Sequence, residues 1–258
     1  MKISSTVEQI FAHAVAMEQS GGLRNTIYAI DDEVFILGYD HTVLLRFKLR
    51  KSEAPFAHPV SFRANDYDSQ EFYEENGKII FVQKNGEYTR VKSCGTPDMT
   101  PVQVRELFHK LNEADSGFVT VQLDKNILPL LDRSLSHTEF VGAAGEPLKL
   151  IQRNIYSGSV IEVVRESGGG LLGDENLEDD IEPIAIKTPD LMALFAFQDV
   201  LRFQLPALGA GDYIKVDSIH KQKRDMVGVV ACCIYDEIIE IKEATHGGQE
   251  QKVRRRRK

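Results

Sequence analysis

Between Phe118 and Arg165 the apolar positions change period twice. Val119, Val121 and Leu123 alternate with Phe118, Thr120 and Gln122, which predicts a strand with one buried face. Asp124 follows where a helix N-cap belongs, its carboxylate able to accept orphan amide hydrogens of a first turn. Ile127, Leu128, Leu131 and Leu135 then share one face of a 3.6-residue repeat, with Lys125, Asp132, Arg133 and Ser136 on the other. This spacing predicts a helix from Lys125 to His137, and a hairpin from Pro147 to Val164 completes the unit.

The same joint of strand, cap and helix opens the chain. Met1-Lys2-Ile3 reads as a short strand, and Ser5-Thr6-Val7-Glu8 as a capping box with Ser5 as the cap. Val7, Ile10, Phe11, Ala14 and Val15 make the stripe of the helix, and Gly21-Gly22 stops it. Strands are expected at Thr26 to Ile30, Glu33 to Leu37 and Thr42 to Leu49, turning at Asp31-Asp32 and Tyr39-Asp40-His41. A weaker copy covers Val60 to Lys92, with room for barely a turn of helix near Asn65 and a hairpin across Asn85-Gly86. The fourth opens with Pro183 to Ile186 and a Thr188 cap, and Leu191, Leu194 and Phe195 form its stripe. Strands follow at Val200 to Leu205, Asp212 to Asp217 and Met226 to Tyr235, with room for a last one at Glu237 to Lys242.

Gly95 to Asp98 breaks the pattern. Thr100-Pro101-Val102-Gln103 is a further capping box, with proline in the first helical position, and its helix runs to about Asn112. Val104, Leu107, Phe108 and Leu111 give this connector an apolar stripe that must lie on another element. The expected organisation is an α+β chain of two similar domains, residues 1–99 and 117–242. A helical connector, 100–116, joins them, and a disordered basic tail, 243–258, follows. Any pair of α+β domains would satisfy the pattern alone, since strand-to-helix caps are common.

Composition narrows the chemistry. The chain is 42% hydrophobic and 27% charged, as in a soluble globular protein, and it has no apolar run long enough for a bilayer. Cys94, Cys232 and Cys233 lack the spacing of a zinc knuckle or disulfide framework and read as buried apolar groups in a reducing cytoplasm. Net charge is −8, but six of the last seven residues are basic, which leaves −14 on the rest. Such a body repels bulk nucleic acid, so any DNA contact must sit on local basic surface. Glu166 to Glu182 holds seven acids and no base and is expected to be a solvated loop.

Enzyme signals fail on inspection. Gly168 to Gly173 matches a dinucleotide-binding glycine pattern by letter, but it runs into Asp174-Glu175, which would repel a pyrophosphate. Phosphate-loop, zinc-protease and serine-hydrolase motifs do not occur, the seven histidines are scattered, and no catalytic residue, metal or cofactor is expected. The basic groups placed for a DNA role are Lys2 beside the first helix, Lys125, Arg133 and His137 on the outward face of the third, and Lys221, Lys223 and Arg224 at a strand tip.

Helix-bearing quarters of this plan, two per domain, resemble the sliding clamps, the ring-shaped processivity factors of DNA polymerases. The likeness is to the two-domain type that closes as a trimer, as in bacteriophage clamps and proliferating cell nuclear antigen. Met1 to Ser4 looks like the phage clamp start, and Pro183 to Tyr235 looks like a clamp's final quarter. Asp40 to Leu49 is similar to the Asp-x-x-His-Val strand of the eukaryotic clamp, two residues shorter between Asp and His. The connector helix departs from the family, where an extended linker is usual.

The resemblance implies a homotrimeric ring with sheets outside and helices lining the hole. It would encircle duplex DNA without reading sequence and tether a DNA polymerase after a clamp loader has closed it. Lys2, Lys125, Arg133, His137, Lys221, Lys223 and Arg224 would then face the hole. Tyr39, His41, Met99, Ile234 and Tyr235 would form the pocket for a partner's hydrophobic tail. The expected location is the cytoplasm, that of the host if the protein is viral. The other reading is a non-enzymatic viral assembly or transcription accessory protein on the same β-rich domains.

Overall fold

A computed structural model of the chain describes residues 4–21, 25–38, 42–54, 56–67, 71–75, 78–85, 88–93, 99–113, 117–153, 160–163, 177–181, 183–195, 198–207, 213–219 and 225–231. Helix α1 (Ser5–Gly21) is followed by β1 (Asn25–Ile30), β2 (Glu33–Gly38), β3 (Val43–Lys48) and β4 (Val60–Arg63). Next come β5 (Glu71–Glu75), β6 (Lys78–Asn85), β7 (Tyr88–Ser93) and α2 (Pro101–Glu113). The chain continues through β8 (Phe118–Asp124), β9 (His137–Val141), β10 (Lys149–Arg153) and β11 (Val160–Val163). It closes with β12 (Ile184–Lys187), α3 (Thr188–Leu194), β13 (Val200–Pro206), β14 (Tyr213–Ser218) and β15 (Asp225–Ala231).

The strands make an eight-stranded sheet in the order β4-β1-β2-β3-β15-β14-β13-β8, a four-stranded sheet β11-β10-β9-β12 and a three-stranded sheet β5-β6-β7. Contacts divide the chain into two compact units. The first holds Met1–Asp115, Ala193–Phe203 and Lys215–Val230, and the second holds Ser116–Met192, Gln204–Ile214 and Ala231–Lys258.

In the first unit, β1 and β2 close over Asp31 and Asp32, and Asp31 takes a left-handed φ of 54° that a tight hairpin requires. Cross-strand partners share a sheet face, so Phe62, Ile27, Ile36, Leu45 and Gly228 form one row. Helix α1 lies on that face, the ring of Phe11 5.3 Å from that of Phe62. Tyr28, Phe35 and Arg46 form the next row on the opposite face. There α2 packs, with Phe108 5.7 Å from Phe35. Both faces are therefore covered, which is why β1 and β2 read as near-continuous apolar runs. A Cβ at position 228 would come within 2.6 Å of Leu45 Cδ2, so a side chain there would require the buried Leu45 to shift.

The caps are only partly as expected. At α2 the box is present: the Gln103 amide donates to Thr100 Oγ1 at 3.3 Å and the Thr100 amide to Gln103 Oε1 at 2.9 Å. At α1 the capping hydroxyl is that of Ser4, which accepts from Val7 N at 3.3 Å, and not that of Ser5. Met17 rather than Val15 completes the buried stripe of α1.

In the second unit the expected helix from Lys125 to His137 is cut short. Residues Lys125–Leu130 form a 3-10 helix and His137 begins β9. Pro129 supplies no amide hydrogen and its ring crowds the preceding turn, so an α-helix cannot propagate through it. Leu131 N instead closes on Leu128 O at 3.2 Å. Ile127, Leu131 and Leu135 are nonetheless buried, although Leu131 and Leu135 lie beyond the helical segment.

The end of the acidic segment is also not a free loop. Leu177 and Ile181 are buried, Leu177 N donates to Glu146 O at 2.9 Å, and Gly145 N donates to Leu177 O at 2.9 Å. Gly142 admits Leu177, whose Cδ1 would collide with a Cβ there. The three cysteines, the remainder of the acidic segment, the expected strand at 237–242 and the basic tail lie outside the described residues.

Candidate nucleic-acid interface

Lys125 and Arg133 are both exposed, at either end of the segment built around the 3-10 helix. The start is capped as the sequence implies, Asn126 N donating to Asp124 Oδ1 at 2.8 Å. The end is a turn organised by Asp132, whose Oδ1 accepts from Ser134 N at 2.8 Å and from Ser134 Oγ at 2.7 Å. These bonds, the hydroxyl first, hold the Asp132 carboxyl below the usual carboxylate range. Leu130, between the two cations in the chain, is 48% exposed.

His137 stands on a different element, at the start of β9. Thr138, Gln152 and Ile186 share one buried face of the four-stranded sheet. His137, one residue earlier on β9, has Lys187 and Arg153 as its cross-strand partners on the other face. Burial, and then the charge of Lys187, lower its pKa, so the ring is neutral near pH 7. Of the other expected DNA residues, Lys2, Lys221, Lys223 and Arg224 lie outside the described residues. So do Tyr39, His41, Ile234 and Tyr235 of the expected partner pocket, while Met99 is half-buried just before the α2 cap.

Helix α1 offers phosphate no lysine or arginine. Among its described side chains the exposed ones are Ser5, Glu8, Gln9, Ala12 and Ala16, and α3 likewise contains no Lys or Arg. A basic contribution at this end of the first unit comes from residues the sequence reading left unassigned. Arg50 and Lys51 are exposed where β3 runs into a 3-10 turn, Lys51–Glu53. Thr6 Oγ1 of α1 donates to Glu53 Oε1 at 2.9 Å and fixes that turn against the helix start. The signal was two consecutive cations past the end of a strand, which is indistinguishable from an ordinary solvated edge without the Thr6 contact.

Among the described residues no group of three His, Cys, Asp or Glu side chains could hold a metal ion, and no helix is long and apolar enough to cross a membrane. No protein-family model matches the sequence, and no curated protein matches it. Solved structures do match. The crystal structure of the PCNA2–PCNA3 complex from Sulfolobus tokodaii is similar over 90% of this chain and 97% of that one, with a TM-score of 0.51 and 14% identity. The chain therefore has the α+β fold of the DNA clamps.

Proposed function

We propose that the protein is a sliding clamp whose copies close around duplex DNA, with a trimer as the expected ring, and tether a DNA polymerase. The supporting observation is the fold likeness across nine-tenths of the chain to a structure that is itself a complex of PCNA proteins. The charge layout agrees with it: a body that carries −14 without the basic tail, with exposed Lys125 and Arg133 on one segment, holds DNA locally and repels it elsewhere. Contacts of this kind are made to phosphate alone and permit sliding. Retention then comes from topology, and no catalytic group is required. We place the two domains at residues 1–99 and 117–242. Lys2, Lys221, Lys223 and Arg224 complete the proposed DNA set, and Tyr39, His41, Met99, Ile234 and Tyr235 form the proposed partner pocket.

The test is retention on circular against linearised duplex DNA in the presence of a clamp loader and ATP. Loss from the linear form alone is expected, and equal retention on both overturns the proposal. The cation-free face of α1 favours a second reading, an assembly or accessory protein that uses the clamp fold without holding DNA. Light scattering separates them, since a stable monomer at working concentration fits only the second.

A further inference from the structure

Gln152 is fully buried on β10, yet its amide is spent on a distant main chain. Its Oε1 accepts from Asp132 N at 2.6 Å, and its Nε2 donates to Asp132 O at 3.2 Å. The two bonds reproduce a rung of an antiparallel ladder, with a side chain in place of the second strand. Nε2 also lies 3.4 Å from Thr138 Oγ1 and 3.5 Å from Thr188 Oγ1, and those hydroxyls are 3.0 Å apart. At the far end of the same turn Thr188 N donates to Ser136 O at 3.0 Å. The turn 132–136 is thus held at both ends from the interior, and its exposed cation is Arg133.

We propose that Gln152 is a positioning residue for Arg133 as a phosphate contact, an inference that rests on the clamp reading above. A buried amide costs free energy unless it is satisfied, and an apolar residue of the same volume would fill the site for stability alone. What the amide adds is a fixed main chain on both sides of an exposed arginine. An arginine on a preorganised backbone loses less freedom on meeting a phosphate. Asp132 extends the device outward by holding Ser134 through two further bonds.

The experiment is a salt titration of full-chain binding to circular duplex DNA, with Asp132→Ala, Asp132→Asn, Gln152→Met and Arg133→Ala. Simple electrostatics makes removal of the Asp132 carboxylate strengthen binding. Positioning makes Asp132→Ala weaken it, by roughly twofold to fivefold, the weight of an exposed ion pair. Asp132→Asn, whose amide oxygen still accepts from Ser134, should bind as well as the parent or better. Gln152→Met, assayed well below its unfolding midpoint, should weaken binding no more than Arg133→Ala does, with no further loss when the two are combined. Tighter binding by Asp132→Ala, or a Gln152→Met loss that persists without Arg133, overturns the proposal. If Arg133→Ala alone leaves both affinity and salt slope unchanged, the phosphate contact falls and the positioning role with it. Arg133→Ala lies on the surface and leaves Gln152 in place, so it keeps the proposal falsifiable should Gln152→Met fail to fold.

Discussion

The guanidinium carbon of Arg46 on β3 sits 5.0 Å from the centre of the Phe108 ring on α2. The same guanidinium is 3.7 Å from Glu33 Oε1, so a cation, a ring and a carboxylate join the connector helix to the sheet beneath it. Arg105 binds Asp31 at 2.9 Å toward the start of α2, and Lys215 Nζ donates to Asn112 O at 2.8 Å near its end. Thirteen residues at a rise of ~1.5 Å reach about 20 Å, enough to cross four strands spaced by ~4.8 Å. The connector is therefore a crossbar pinned along its length.

Phe108→Ala should cost about 3–5 kcal/mol, because the ring is fully buried between helix and sheet. Arg46→Ala should cost less, and a double-mutant cycle should show a coupling of about 0.5–1 kcal/mol between them. Urea unfolding of the four proteins measures it. Strict additivity would mean that the guanidinium only covers the ring.

At the β3–β15 pairing, Gly228→Ala should lose about 1–3 kcal/mol through overpacking against Leu45. The penalty should largely vanish in a Leu45→Ala background, where the obstructing methyl is gone. Thermal unfolding of the single and double variants decides, and an undiminished penalty would place the strain in the backbone.

Acid should loosen the β1–β2 turn. The Asp32 carboxyl is held below its ordinary value chiefly by the hydrogen bond from Lys48 Nζ, at 2.9 Å. A depressed folded pKa means that its contribution is complete above about pH 4, the unfolded value, and is lost as pH falls through the folded one. Lys48→Met should therefore make the stability curve below pH 4 shallower, as chemical denaturation across that range would reveal.

His137 has the same sign at a higher pH. Its lowered folded pKa gives stability that is complete above about pH 6.5 and lost as pH falls through the folded value. His137→Gln should flatten the stability profile between about pH 5 and pH 7. It should leave DNA binding at pH 7.5 unchanged, because the ring carries no charge there. A clear loss of binding at that pH would restore His137 to the DNA contacts.

Charge on α1 should be limiting for DNA. Glu8→Lys places a cation on an exposed face that has none and removes an acid at the same time. Affinity for duplex DNA should rise and the salt slope should steepen by about 1 per subunit. No change in either would show that DNA does not approach this face.

Local chemistry made much of the chain legible in its sequence. The stripes of α1 and α2, the Thr100 box, the Asp124 cap and the strand alternations each depend on residues a few positions apart. Local rules failed where one residue overrode a period, as Pro129 did in turning the expected third helix into a 3-10 segment and releasing His137 to a strand. They were silent where partners are far apart in the chain. Gln152 on Asp132, Thr6 on Glu53, Leu177 against Gly142 and Arg46 over Phe108 join residues that no periodicity relates. Periodicity decides which face of an element is apolar, because that is set by the rise and twist of its own backbone. Which element then covers that face, and which exposed cations stand on a fixed main chain, is decided by packing between distant segments, and only the tertiary structure holds that.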